Sequence, residues 1–317
     1  MNHNGRVKVR GPATVGNVSC GFDVLGFALQ DPADTVELIL NDSGQITISG
    51  IRGPHASEVP LDPERNTCGV AARAFLQKVS PESGLEIRLQ KDMPVKSGLG
   101  SSAAGAAATL AGLNELFEGI LEERELLACG LQAEKAACGS IHGDNIAPAL
   151  LGGFVLISSY QPLHFVRLPT PEELWYAVAH PRLAVQTRQA RQILPRQIPL
   201  TDARRQWGNL GGMVSGLFMG DYDLIGRSIE DRVAEPGRSR LIPGFEQIRE
   251  KIRKGPALGG GISGSGPAVF ALCRGADAAR QAVTDLTAVF TGLGIANHGY
   301  TGPVNTTGAT VSGVPPE

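Results

Sequence analysis

The sequence predicts an α+β protein built in two halves, on three observations. Its 317 residues suit two modest domains, with ample material for a core. Runs with strand alternation and runs with helical spacing occur on both sides of a proline-bearing stretch at 161–173. Between one strand-like run and one helix-like run lies a glycine-rich loop of the kind that binds anions.

Taken in order, Val7 and Val9 open a short strand, and the turn-rich segment 11–26 follows as a loop. Within it Asn17 and Asp23 either satisfy turn backbone or face a cleft; the residues alone leave both readings open. Val36, Leu38 and Leu40 alternate, as do Ile46 and Ile48 beyond Asn41-Asp42-Ser43-Gly44, which reads as a hairpin. Residues 51–65 read as a surface loop and 66–79 as a helix. Leu85, Ile87 and Leu89 make the strand before the glycine-rich loop, and Leu110, Leu113 and Leu116 mark the helix after it. Acids at 122–125 open another helix running toward Cys138. Residues 139–153 read as a loop before a buried strand at 154–157, and 161–173 as the link between halves. The second half begins with a strand at 175–179 and a short helix at 187–194 stopped by Pro195. A helix-rich stretch runs to about Ile229. Glycines at 259–266 lead into a strand at 268–272, and a helix includes 284–290. A polar ending from Asn297 holds one strand near 309–311. The division predicted is 1–165 and 166–317.

Composition narrows the function. Hydrophobic residues at 42% and charged residues at 19% are ordinary for a globular chain. A net charge of −2 gives no basic footprint for nucleic acid and no drive toward anionic membranes. The first residues lack the apolar core of a signal peptide, and no run has the length of a membrane span. Five cysteines form no Cys-x-x-Cys pair, so zinc and redox motifs are not expected and a reduced, cytoplasmic setting fits.

The loop itself reads Pro94-Val95-Lys96-Ser97-Gly98-Leu99-Gly100-Ser101-Ser102-Ala103-Ala104. A helix start offers unpaired N–H groups and the positive end of the dipole. Gly98 and Gly100 keep side chains away from an approaching phosphate. Ser101 and Ser102 can cap the helix or coordinate a phosphate-bound cation. A plain turn before a closely packed helix is the competing reading. No Gly-Lys-Ser or Gly-Lys-Thr occurs, so this is not a Walker loop. Gly259-x-Gly261-x-x-Gly264 matches a dinucleotide fingerprint in letters only, because a strand follows where a helix should.

The full pattern at 94–104 resembles the nucleotide motif of the superfamily of galactokinases, homoserine kinases, mevalonate kinases and phosphomevalonate kinases. The segments 11–26 and 261–267 are similar to its other two motifs. Four details resemble the homoserine kinase branch: Pro-Ala-Thr-x-x-Asn-x-x-x-Gly-Phe-Asp-Val-Leu-Gly at 12–26, and His-x-Asp-Asn-x-Ala-Pro-Ala-Leu-Leu-Gly-Gly at 142–153. The others are Thr-x-x-Ala-Arg-x-x-Leu-Pro at 187–195 and Glu-Pro-x-Arg-x-x-x-Ile-Pro-Gly-Phe at 235–245. The chain departs from the pattern at Ser19-Cys20, where Gly-Pro is common, and at Lys96-Ser97, where Gly-Arg is more usual.

The resemblance implies an N-terminal ribosomal-protein-S5-like nucleotide-binding domain and a C-terminal ferredoxin-like domain, with ATP and Mg²⁺ as cofactors. It implies that residues 94–104 cradle the triphosphate, with Asn66 toward the adenine and Ser102 with Glu134 holding Mg²⁺. Arg191 and Arg238 would clamp the carboxylate of L-homoserine, a match for a bidentate fork. Asn17 and Asp23 would receive its ammonium, and Asn145, with Thr187 nearby, would aim its hydroxyl at the γ-phosphate. Mevalonate-phosphorylating relatives use an Asp as base, where Asn145 stands here. Asn145 takes no proton at neutral pH, so direct in-line transfer is expected, with Asp23 and Asp144 as candidate bases. The product would be O-phospho-L-homoserine, for threonine synthesis, and the family's habit implies a homodimer. The rivals are a kinase for another small alcohol and a catalytically silent nucleotide-binding regulator.

Overall fold

The computed structural model describes residues 5–139, 142–183 and 187–312, except the side chains of 137, 138 and 187–189. In the first half run β1 (Arg6–Gly16), β2 (Leu25–Asn41), β3 (Ile46–Arg52), α1 (Thr67–Val79) and β4 (Gly84–Gln90). Then come α2 (Ser101–Leu116), α3 (Glu123–Cys138), α4 (Ile146–Leu151), β5 (Phe154–Tyr160) and β6 (Leu163–Leu168). Beyond them run β7 (Leu174–Pro181), α5 (Thr187–Gln192), α6 (Leu200–Met219), α7 (Tyr222–Ser228), α8 (Glu235–Arg238) and α9 (Phe245–Lys254). The described residues close with β8 (Ala257–Ile262), β9 (Val269–Arg274), α10 (Ala276–Gly292), β10 (Asn297–Pro303) and β11 (Thr310–Ser312).

Among the described residues, two sheets organise these elements. The larger has the order β11-β1-β2-β4-β3, with β5 joined to the start of β2 and β6 to β5. Long β2 therefore serves two neighbours: Leu25–Phe27 meet β5, and Thr35–Asn41 meet β4. The expected hairpin of β2 and β3 is wrong. β4 lies between them and pairs parallel with β3, so α1 is the crossover that a parallel pair requires. The alternation was read correctly, but a short polar loop did not identify the partner strand.

The stretch 161–173 is more than a link, since β6 closes an antiparallel hairpin with β5 there, and residues 165 and 166 both lie in β6. Strand β1 runs on through Pro12 to Gly16 beside β2, although 11–16 read as loop. The glycines at 259–261 are themselves in strand β8. The C-terminal β11 returns to the first sheet and pairs β1.

The sheet face of the first half is covered by α1 and α2. Val7, Val9, Val36, Leu38, Leu85 and Ile87 pack there against Phe75, Leu110 and the alanines of α2. Ala103, Ala104 and residues 106–108 are fully buried, so small side chains let α2 sit close to its neighbours. The smaller sheet, β10-β7-β9-β8, is antiparallel and carries α9 and α10 on one face through Ile248, Leu286 and Phe290. Its other face joins the first half. Phe27 lies 4.8 Å from Phe154 and 6.1 Å, edge-on, from Phe270, within one core that also holds Tyr176, Met213 and Leu217. That shared core fixes how the two sheets present their loops to one another.

Candidate active site

Loops from both sheets meet around a cleft of about 580 Å³. Its lining takes Asn17 and Asp23 from the β1–β2 connection and Val95–Gly98 with Gly100–Ser102 from the loop into α2. It adds Glu134 of α3, His142, Asp144 and Asn145 before α4, Arg191 of α5, Arg238 of α8, and Gly264 with Ser265 after β8.

The phosphate-loop end is set by backbone. Gly100 stands at the start of α2 with φ 64°, and no side chain caps that helix, so Ser101 and Ser102 occupy its first turn rather than its cap. A Cβ at Gly100 would come within 2.0 Å of Thr14 Oγ1, which is why glycine is required here. Beneath the loop sits a buried ion pair that sequence reading missed. Lys91 donates to the Asp34 carboxylate, to Ser101 O at 3.0 Å and to Ser101 Oγ at 2.6 Å, using all three of its N–H donors. Asp34 Oδ1 accepts from the N–H groups of Asp92 and Met93, both at 2.9 Å. The start of the loop and the start of α2 are thus tied to one charge pair. The only sequence signal was an ordinary charge at each of two positions, Asp34 after Ala33 and Lys91 between Gln90 and Asp92.

Four residues expected in the nucleotide cradle stand behind it instead. Pro94, Leu99, Ala103 and Ala104 are buried and do not line the cleft. Leu99 O accepts from Thr14 N–H at 3.1 Å, so that residue joins the loop to β1. Asn66 is also elsewhere. It caps α1 by accepting from Cys68 N–H at 2.9 Å and donates to Pro60 O at 2.8 Å, and it does not line the cleft.

Ser102 donates to Glu134 Oε1 at 3.2 Å. Burial pushes the Glu134 carboxyl up to about 7, with the Asp144 charge adding to it and the Ser102 hydrogen bond opposing it. Two hard oxygen donors beside a phosphate loop fit a Mg²⁺ that arrives with a phosphate group. Among the described residues no cluster of three or more His, Cys, Asp or Glu could hold a metal by itself, so phosphate and water would complete the shell.

At the other end, Asn17, Val18 and Ser19 have consecutive positive φ values of 68°, 43° and 54°, and Asp23 has 57°. Left-handed backbone is disfavoured for residues with a Cβ, most of all for β-branched Val18. Hydrogen bonds over-determine the turn. Asn17 accepts from Asp23 N–H, donates to Gly264 O at 2.7 Å, and gives its own N–H to Asp144 Oδ2 at 2.9 Å. Both readings of Asn17 therefore hold at once: it makes the turn and it lines the cleft.

Arg191 forks onto Asp23, with Nη2–Oδ1 at 2.9 Å and Nη1–Oδ2 at 3.1 Å. Arg238 is anchored by Nε to Ala190 O and by Nη1 to Gly264 O at 2.9 Å. Both guanidinium groups approach the Phe22 ring, at 5.8 and 5.3 Å from its centroid. Asn145 Oδ1 accepts from Thr14 Oγ1 at 2.8 Å, and its Nδ2, beside Gly16 of β1, donates to Asp144 Oδ1 at 3.4 Å. Asp144 is buried, and burial followed by the Asp23 charge raises its carboxyl to about 7. His142, in the stretch 139–153 that reads as a loop, is buried in the wall with Nε2 4.0 Å from Asp23 Oδ2, and burial lowers its pKa. Thr187 opens α5, but its side chain lies outside the described residues. Neither Ser19 nor Cys20 lines the cleft, and burial pushes the Cys20 thiol up to about 12.

Comparison with known proteins agrees with this geometry. The model "GHMP kinases N terminal domain" matches residues 66–153, and "GHMP kinases C terminal" matches 210–292. The homoserine kinase of Chlorobium phaeovibrioides is 46% identical over 280 residues, covering 85% of this chain and 87% of that protein. That of Methanococcus maripaludis is 40% identical over 286 residues, covering 90% and 92%. A crystal structure of homoserine kinase from Cytophaga hutchinsonii superposes with a TM-score of 0.94 at 45% identity, covering 98% of this chain and 99% of the other. The mevalonate kinase of L. major, at 17% identity and a TM-score of 0.67 over 94% of this chain and 96% of its own, shares the fold. The chain belongs to the homoserine kinase family, within the GHMP kinases.

Proposed function

We propose that this chain transfers the γ-phosphoryl group of ATP to the side-chain hydroxyl of L-homoserine, giving O-phospho-L-homoserine. One observation carries the substrate. A carboxylate and two guanidinium groups stand together, Asp23 with Arg191 and Arg238 beside it, in the same cleft as the phosphate loop. An α-amino acid brings a carboxylate and an ammonium on one carbon, and this arrangement offers an opposite charge to each. A simple alcohol, or mevalonate without its ammonium, leaves half of it unmatched.

The residues then divide the work. Backbone N–H groups at the start of α2 and the Ser101 and Ser102 hydroxyls receive the triphosphate. Arg238 and Arg191 take the substrate carboxylate, and Asp23 its ammonium. Asn145, its amide fixed by Thr14, donates to the substrate hydroxyl oxygen and directs a lone pair at the γ-phosphorus. Ser102 and Glu134 would hold Mg²⁺, which when bound would offset the negative charge of the phosphates. Phosphoryl transfer is mainly positioning and charge stabilisation, so the hydroxyl proton leaves to phosphate or solvent without a strong base.

No described helix is long and apolar enough to cross a membrane. The buried free thiols of Cys20, Cys68, Cys129 and Cys273 support work in the reducing cytoplasm. The test is an ADP-release assay with ATP and Mg²⁺, offering L-homoserine beside serine, threonine and mevalonate. Turnover on homoserine alone is expected. Turnover on mevalonate would keep the fold and overturn the substrate, and nucleotide binding without any turnover would favour a regulator.

A further inference from the structure

The phosphate loop contains one residue whose conformation its type does not explain. Lys96 has φ 55°, in the left-handed region, within a loop whose other positive-φ members are Gly98 and Gly100. A Cβ makes that region unfavourable, and lysine has no short polar side chain to hydrogen-bond locally in compensation. Glycine would take the same backbone freely. The loop thus holds a side chain where its own geometry asks for none.

The surroundings give that side chain something to do. Lys96 lines the cleft and is exposed, and its ammonium makes no hydrogen bond or ion pair with any described residue. The other cations of the cleft are already engaged, Arg191 with Asp23 and Arg238 with two carbonyl oxygens. Buried Lys91 has spent its donors on Asp34 and Ser101. The neighbouring Ser97 is buried, and its Oγ accepts from Leu99 N–H at 3.2 Å, so it shapes the loop from within. On the phosphate side the remaining charged neighbour is Glu134, an acid. Lys96 is therefore the free positive charge that the loop itself offers to a polyanion.

We infer that the Lys96 ammonium binds a phosphate group of ATP, and that the strained backbone at this position is kept because it places that charge over the nucleotide. The inference deepens the kinase reading above and rests on it. Its consequence is a trade: removing the side chain relaxes the loop and weakens nucleotide binding together.

Two variants separate the two effects. Lys96→Met keeps a Cβ, and so the strain, but loses the charge; Lys96→Gly loses both. ATP binding is measured by calorimetry at two salt concentrations, and thermal melting is followed in parallel on the full chain. Lys96→Met is expected to melt with the wild type and bind ATP about tenfold more weakly, with a shallower salt dependence. Lys96→Gly is expected to melt above the wild type and bind ATP as weakly as Lys96→Met. Wild-type affinity and salt dependence in both variants would overturn the role of the ammonium. A wild-type protein that binds no ATP at all would instead overturn the kinase reading.

Discussion

The two ends of the cleft are built by different means. The phosphate end is almost one stretch of chain, residues 95–102, with Glu134 facing it across a single hydrogen bond. Its shape follows from a left-handed glycine, a helix start and a charge pair beneath, with Ser263 Oγ donating to Gly98 O at 2.6 Å and Ala268 N–H to Ser97 O at 3.0 Å from the second half. The amino-acid end has no such continuity. Asn17 meets Gly264 across 247 residues of sequence, and Asp23 meets Arg191 across 168. Those contacts exist only when the core around Phe27, Phe154 and Phe270 has locked the two sheets together. Both ends lean on the fold, but only the phosphate end draws most of its lining from one stretch of chain, so they should fail differently.

The largest expected effect is at the loop. Gly100→Ala forces a Cβ against Thr14 Oγ1 and toward Asn145 Oδ1, and adds a disfavoured φ. It should lower kcat/KM by about a thousandfold, with a stability loss of about 2–3 kcal/mol. Activity within tenfold of wild type would show that the loop tolerates reshaping.

Next comes the charge pair beneath it. Lys91→Met leaves buried Asp34 with no cation, which should cost about 3–5 kcal/mol in denaturant unfolding. Adding Asp34→Asn should restore part of that loss, and additive losses in the double variant would deny the coupling. Ser101 loses its tether in either case, so the KM for ATP should rise while that for homoserine stays within about twofold.

A smaller effect tests the other end. Glu235 opens α8, the helix that carries Arg238, and burial raises its carboxyl to about 7 against the pull of Arg249. The raised value means that the folded state holds the proton more tightly than the unfolded chain. Its stabilising contribution is complete below about pH 4.5 and lost as pH rises through about 7. Glu235→Gln cannot titrate, so its melting temperature should gain on the wild type between pH 5 and pH 8. A constant difference across that range would contradict the shift.

This division also explains what could be read from sequence. The loop, α1, α2, α3 and most strands follow from patterns within ten or twenty residues, where period and glycine placement have direct physical meaning. The pairing of β4 between β2 and β3 does not, because alternation marks a strand without naming its partner. Asn17 and Asp23 stand out in the letters with turn and cleft readings both open, while Arg191 and Arg238 take their expected roles only from the resemblance. Composition could not say that Arg191 would fork onto Asp23. Lys91 and Asp34 escaped because each is an ordinary charge until the fold buries both. Asn66 caps α1, a role its letter shares with a ligand contact, so sequence alone does not separate the two.

The most direct test compares L-homoserine with 3-aminopropan-1-ol, which is homoserine without its carboxylate, in the wild type and in Arg238→Met. If Arg238 reads the carboxylate, the wild type prefers homoserine by about a hundredfold or more in kcat/KM, and the variant loses most of that preference. The variant's KM for ATP should hardly move. A preference that survives in Arg238→Met would contradict the role of Arg238 and return the substrate question to the rest of the cleft.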